Sequence, residues 1–186
     1  MTSSKLCYID GLSVSGNGSS RYLPLGNLTL KNLNACLTTA IRHLSSRDSS
    51  CKIATVFDGL DFLLACLPQT TSSEVQQMLL ELASHVHSII VTCTADSALV
   101  YNTEASATPL EFEHTTLARS LAHQAKWLFQ LRPLDTGQSK EVSGSVRVSK
   151  GGAWESSEMA TDLVESEWLF HFRNDGGVKV WGRGEA

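Results

Sequence analysis

The residues whose types come nearest to a chemical site lie in Ile53-Ala54-Thr55-Val56-Phe57-Asp58-Gly59-Leu60-Asp61. An apolar run ending in an acidic residue is the Walker B pattern, in which a carboxylate at the C-terminal end of a strand holds the Mg²⁺ of a bound nucleotide. Asp58 is the first candidate for that role and Asp61 the second. The same chemistry needs a cradle for the phosphates. A P-loop, G-x-x-x-x-G-K-[ST], supplies backbone N–H groups, a lysine and a hydroxyl. No Gly-Lys-Ser or Gly-Lys-Thr occurs in the chain, and the nearest glycine-rich stretch, 11–20, contains no lysine. Asp58-Gly59 is also an ordinary turn at a strand end. The pair Asp58 and Asp61 is therefore read as a degenerate Walker B-like site, with no catalytic residue and no metal ligand assigned.

Other constellations fall short of their chemistry. A serine hydrolase needs Gly-x-Ser-x-Gly at a strand-to-helix elbow; Gly11-Leu12-Ser13-Val14-Ser15 and Ser143-Gly144-Ser145 both miss the spacing. His85 and His87 form a His-x-His pair, which a zinc site could use, but no third ligand accompanies them at a suggestive spacing. They are expected to flank a helix end. His114, His123 and His171 are single histidines near element ends, where capping and surface roles dominate. The five cysteines, Cys7, Cys36, Cys51, Cys66 and Cys93, are odd in number and include no Cys-x-x-Cys. They are expected to be reduced core residues.

A second kind of site is electrostatic. Between Ala125 and Gly152, Lys126, Arg132, Lys140, Arg147 and Lys150 face only Asp135 and Glu141, a local charge of +3 in a chain of net charge −4. From Ala153 to Phe170 the sign reverses: Glu155, Glu158, Asp162, Glu165 and Glu167 occur with no lysine or arginine. Arg132, Lys140, Arg147 and Lys150 are the candidate phosphate contacts, since cations on a strand and its turn position a nucleic-acid backbone without reading its sequence.

These residues need elements to hold them. Leu6 to Asp10 is expected as a short strand, and 11–20 as a loop. Leu30, Leu33, Leu37, Ile41 and Leu44 recur at steps of three and four, which predicts a helix across Leu28 to Leu44. Lys52 to Phe57 is a β-branched and aromatic run expected to be a buried strand. Helices are expected over Asp61 to Leu67 and Ser73 to Val86, the latter capped by Ser72 or Ser73. A strand over Ser88 to Thr94, a helix over Glu113 to His123 and a strand over Trp127 to Leu131 complete a βαβα order, which predicts a mainly parallel sheet flanked by helices. Val142 to Ser149, Trp168 to Arg173 and Val178 to Trp181 alternate and are joined by short turns, so they are expected as antiparallel strands added to the C-terminal side of that sheet.

At 186 residues, 42% hydrophobic and 18% charged, the chain has the composition of one α/β domain with its own core. No apolar stretch approaches the ~18–20 residues of a transmembrane helix. The N-terminal residues lack a secretory h-region and an arginine-rich amphipathic pattern, which points to the cytoplasm or nucleus and to no membrane partner.

The string from Leu131 to Gly152, with Tyr8-Ile9-Asp10-Gly11-Leu12-Ser13 and Val56-Phe57-Asp58-Gly59-Leu60-Asp61, resembles the sixth-subunit family of the Elongator complex as found in fungi. The similarity runs over most of Leu6 to Gly152. It implies a RecA-like fold for the single domain expected over 1–186, with its core at 5–152; the residues beyond are read from their charge and alternation as an acidic surface loop at 153–167 and a C-terminal hairpin at 168–182. It also implies degenerate ATPase motifs, no catalytic residue and no cofactor. Such subunits assemble with the fourth and fifth Elongator subunits into a hetero-hexameric ring. The ring joins the rest of Elongator, binds tRNA and supports modification of the wobble uridine; its ATP-dependent control of tRNA release need not reside in this chain. A RecA-like domain normally begins with a strand and P-loop helix upstream of the Tyr-Ile-Asp-Gly strand. Only five residues precede Leu6, so the N-terminal P-loop unit is expected to be missing: either the chain is a truncated product, or partner chains cover the edge left open.

Two other readings of the residues stand beside this one. In the first, the chain is a P-loop-type nucleotide-hydrolysing enzyme that uses Asp58 for Mg²⁺ and takes its lysine from a neighbour. In the second, it is a scaffold whose basic stretch pairs with its own acidic segment, Glu155 to Glu167, or with an acidic partner face.

Overall fold

A computed structural model describes residues 6–10, 21–22, 28–47, 50, 52–96, 107–134, 141–155 and 164–182. The chain divides into two compact units, 1–119 and 120–186, each described by itself.

In the first unit, strands β1 (Ile9–Asp10) and β2 (Arg21–Tyr22) form a short parallel pair. Helix α1 (Leu30–Arg47) follows, with the Asn32 N–H donating to the Thr29 hydroxyl at its start. Leu33, Leu37, Ala40 and Ile41 are buried, which is the face that the three-and-four spacing marks out. Strand β3 (Ala54–Phe57) leads into the one-turn helix α2 (Phe62–Cys66) and then α3 (Ser72–Ala83). The cap of α3 is Thr71, one residue before the expected serines. Its hydroxyl accepts from the Glu74 N–H while the Glu74 carboxylate accepts from the Thr71 N–H, a reciprocal capping box. Val75, Met78, Leu79 and Leu82 are buried, and α3 packs against α1, with Asn34 Nδ2 donating to Glu81 Oε2 at 2.9 Å along the seam.

Strand β4 (Ser88–Val91) returns parallel to β3, pairing Ala54 with Ser88 through Phe57 with Val91. The two strands and the helices between them are a βαβ unit. Expected as buried throughout, β3 instead alternates: Thr55 and Phe57, with Ile89 and Val91 of β4, are half-buried, while Ala54, Val56, Ser88 and Ile90 are exposed. One face of the parallel pair is covered and the other is bare.

Helix α4 (Pro109–Gln124) starts four residues earlier than the apolar pattern suggests. Thr108 and Glu111 make a second reciprocal cap, with Thr108 N–H to Glu111 Oε2 at 2.7 Å and Glu111 N–H to Thr108 Oγ1 at 3.3 Å. Pro109 occupies the first helical position, where its missing N–H costs nothing. The Thr108 backbone N–H and then its hydroxyl hold the Glu111 carboxyl below the usual carboxylate value.

The second unit is an antiparallel sheet of four strands in sequence order, β5 (Trp127–Arg132), β6 (Gly144–Lys150), β7 (Ser166–Phe172) and β8 (Val178–Gly182). This corrects the expected topology. The chain is a mixed α/β structure in which the described parallel pairs are two-stranded, and the C-terminal strands form a sheet of their own, with β5 as a member antiparallel to β6. Direction depends on which edge a strand joins, and apolar alternation within a strand carries no signal for that. The β7–β8 hairpin falls close to its expected place, closed at 173–177 by the Arg173 N–H donating to the Gly177 carbonyl at 2.8 Å.

The register sorts the sheet into two faces. Trp127, Phe129, Leu131, Val146, Val148, Trp168, Phe170, Phe172, Val178 and Val180 share one. Gln130, Arg147 and Glu167 lie side by side on the other. The apolar face has open margins: Phe129 is 69% exposed and Leu131 71%, and Phe172, Val178 and Val180 are each more than half exposed.

The four free cysteines described, Cys7, Cys36, Cys66 and Cys93, sit at intermediate depth instead of in the core as expected; Cys51 lies outside the described residues. No helix among the described residues is long and apolar enough to cross a membrane.

Where β6 ends, Gly151 N–H donates to the Lys126 carbonyl at 2.9 Å and Gly152 N–H to the Ala122 carbonyl at 3.1 Å, satisfying an otherwise orphaned group at the end of α4. A Cβ on Gly151 would run into the Ala125 carbonyl. Gly151→Ala is therefore expected to lower stability by about 1–3 kcal/mol, read as a lower urea midpoint; an unchanged midpoint would show that this close approach is not needed.

Candidate functional site

The first candidate site is the C-terminal end of the β3–β4 pair. β3 stops at Phe57, and Gly59 makes the turn into α2 with φ +70°, a left-handed conformation that glycine adopts without a Cβ penalty. The turn is stitched to the residue after β4. The Thr92 hydroxyl donates to Asp58 Oδ1 at 2.7 Å and accepts from the Gly59 N–H at 2.8 Å. The Thr92 N–H donates to the Phe57 carbonyl at 2.9 Å, and the Leu60 N–H to the Thr92 carbonyl at 3.0 Å. Asp58, the Walker B-like residue, thus acts as an acceptor that ties one parallel strand to the next.

Asp61 is separately engaged. Its Oδ2 lies 3.3 Å from His114 Nε2 on α4 and accepts from the Thr94 N–H at 3.3 Å. Both side chains of the Asp61–His114 pair are largely buried. An aspartate holding a histidine is half of a general-base arrangement, but the second ring nitrogen, Nδ1, is itself buried and makes no hydrogen bond. It presents nothing to a reacting group. Next to His114 on α4, Glu113 Oε2 accepts from the Ser72 N–H at 2.6 Å, placing a carboxylate at the start of α3. His114 and Glu113 together bind the first turns of α4 to the turns after β3 and before α3.

Cys93, two residues past β4, feels the Asp61 carboxylate. Burial, and secondarily the Asp61 carboxylate, pushes its thiol above its ordinary value. That is the opposite of the lowered value that makes a thiolate nucleophile. Among the described residues no group of three or more His, Cys, Asp or Glu side chains is placed to hold a metal ion. His85 and His87 lie exposed in the turn after α3, where the His87 N–H donates to the Ile53 carbonyl.

The second candidate site is the basic stretch, which the structure distributes across the sheet. Arg132 ends β5 and is exposed; Lys140 lies outside the described residues. Arg147 and Lys150 are exposed on β6 at positions of opposite parity, so they belong to opposite faces. Arg147 stands opposite Glu167 in the register and forms an ion pair with Glu165, Nη2 to Oε2 at 3.8 Å. The other oxygen of Glu165 accepts from the Lys150 N–H at 3.1 Å. The Lys150 ammonium lies 5.2 Å above the Trp154 ring, and Trp154 meets Trp127 edge-on with centroids 4.8 Å apart. The three described cations are therefore not one patch. Glu165 and Glu167, from the described part of the acidic segment, lie beside Arg147.

Comparison with protein-family models and with curated proteins finds no match for this chain.

Sequence reasoning placed Asp58 and Asp61 at a strand end but missed Thr92 and His114, which give them their partners. The available signal was a hydroxyl and a histidine lying just past or within neighbouring apolar elements, a weak one without the strand register. Thr92→Val removes the hydroxyl shared by Asp58 and Gly59 and is expected to cost about 1 kcal/mol in denaturant unfolding, with Thr92→Ser near wild type. Equal losses in both variants would assign the effect to side-chain packing instead of the hydrogen bonds.

Proposed function

We propose that this chain is a non-catalytic subunit of the hetero-hexameric RecA-like ring of the Elongator complex, where it supports tRNA binding and wobble-uridine modification. The fourth and fifth Elongator subunits are its direct partners. The observation that carries the assembly part of this reading is the bare apolar surface of its sheets. A parallel pair of strands is ordinarily covered on both faces, yet Val56 is 62% exposed and Ile90 53% on the open face of β3–β4. Phe129 and Leu131 are more exposed still on β5. Clustered exposure of large apolar side chains marks a surface that another chain covers.

The resemblance over Leu6 to Gly152 supplies the identity of those partners. The βαβ unit formed by β3, α2, α3 and β4 supports the RecA-like part of the reading. The involvement of Asp58 with Thr92 and Gly59 supports a structural role for a residue that would hold Mg²⁺ in an active relative. Arg132 and Lys150, exposed at strand ends, are available to phosphates from this chain. A few such contacts give modest affinity, so ring subunits acting together supply the rest through avidity.

The test is to introduce charge on the open faces. Val56→Asp with Ile90→Asp, and separately Phe129→Asp, alter side chains that are already exposed, so thermal melts should stay close to wild type. Recovery of the two RecA-like partners in a pull-down on this chain is expected to fall on the order of tenfold or more. Undiminished recovery with both sets of substitutions would remove the observation on which the reading rests.

A further inference from the structure

The contact between Arg147 and Glu165, just before β7, is a loose, exposed ion pair. Charge-assisted N–H···O bonds close to about 2.7–2.9 Å. Here Arg147 Nη2 and Glu165 Oε2 stand 3.8 Å apart, with both side chains about half exposed. Glu165 is held in place by a different bond, from its Oε1 to the Lys150 N–H at 3.1 Å. The carboxylate is thus pinned by the backbone of β6, and the guanidinium lies against it loosely. The register puts a second carboxylate, Glu167, directly beside Arg147 in β7, and Gln130 beside it in β5.

We propose that Glu165, with Glu167 beside it, is an autoinhibitory counter-charge. It occupies the phosphate-binding face of Arg147 in the free chain and is displaced when an RNA backbone arrives. The inference rests on the proposed RNA-binding role and adds its regulation. An exposed pair of this kind contributes little to stability, so releasing it is easy. A phosphate offers the planar guanidinium a two-bond fork that Glu165 does not form at its present separation. The arrangement makes Arg147 a conditional contact: a weak or isolated anion does not outcompete two neighbouring carboxylates, whereas a polyanion already held at Arg132, which the register puts on the same face, does. The same arrangement accounts for the charge pattern along the chain, in which a basic stretch is followed by an acidic one. The acidic segment supplies the carboxylates that screen the middle cation.

The experiment is a salt series of tRNA binding to the full chain, followed by fluorescence anisotropy with an unmodified tRNA transcript as probe. Glu165→Gln keeps an oxygen to accept the Lys150 N–H while removing the charge. It is expected to raise affinity about two- to five-fold, the size of an exposed ion pair. It should also steepen the dependence of log K on log salt by about one phosphate contact. Glu155→Gln, an exposed acid of the same segment, removes equal charge away from Arg147 and is expected to do less. On an Arg147→Ala background the gain from Glu165→Gln should vanish. A gain that persists on that background, or that Glu155→Gln reproduces, reduces the effect to net charge and overturns the inference. So does an affinity unchanged by Glu165→Gln in a chain that binds tRNA. A chain that binds no tRNA with or without Glu165 instead overturns the RNA-binding role itself, and the counter-charge with it.

Discussion

A pair of parallel strands joined through helices has two faces, and water is a poor cover for either. In β3–β4 the inner face carries Phe57, Ile89 and Val91 at intermediate depth, while the outer face exposes Val56 and Ile90. The helices α1 and α3 bury their own apolar stripes, so the unit holds a core without closing over its sheet. At about 25 cal/mol per Å² of apolar surface, leaving several large side chains in water forgoes energy that a neighbouring chain can recover. Much of the functional account follows from that open surface. The sheet at 127–182 repeats the situation with an aromatic face whose margins stand in solvent.

The junction at the end of β3 shows how the same residue types serve structure when their chemical partners are missing. An aspartate after an apolar strand is suited to a metal, but here its oxygen takes the Thr92 hydroxyl, and that hydroxyl takes the Gly59 N–H. Asp61 takes His114 and the Thr94 N–H. Both carboxylates are thus used to join the turn after β3 to β4 and α4. The basic stretch is redistributed in a comparable way. Its central arginine meets carboxylates from the next strand, leaving the end positions as the open cations.

The helices were legible in the sequence because their signals are local. The three-and-four spacing of Leu33, Leu37 and Ile41 marks the buried face of α1, and Val75, Met78, Leu79 and Leu82 mark that of α3. Boundaries moved where a cap decided them, at Thr71 and at Thr108-Pro109. Strand positions were legible too, and the 174–177 turn was a strong local signal. Strand direction and sheet membership were not, because they depend on which edge each strand meets. Burial of β3 was overestimated for a related reason: the apolar character of Val56 says that it gains from cover, not that this chain provides any. At the sites, Asp58 and the cations could be found by type. Thr92, His114 and Glu165 acquire their meaning only from a register that brings residues 34, 53 and 18 positions apart into contact.

The central claim is that other chains cover these faces, and the most direct test is the mass and composition of the native assembly purified on this chain. On the proposed ring assembly, size-exclusion with light scattering and mass spectrometry should find two RecA-like proteins in amounts equal to it, with a total mass near that of a hexamer. A stable, monodisperse monomer that keeps Val56, Ile90, Phe129 and Leu131 in water would contradict the account.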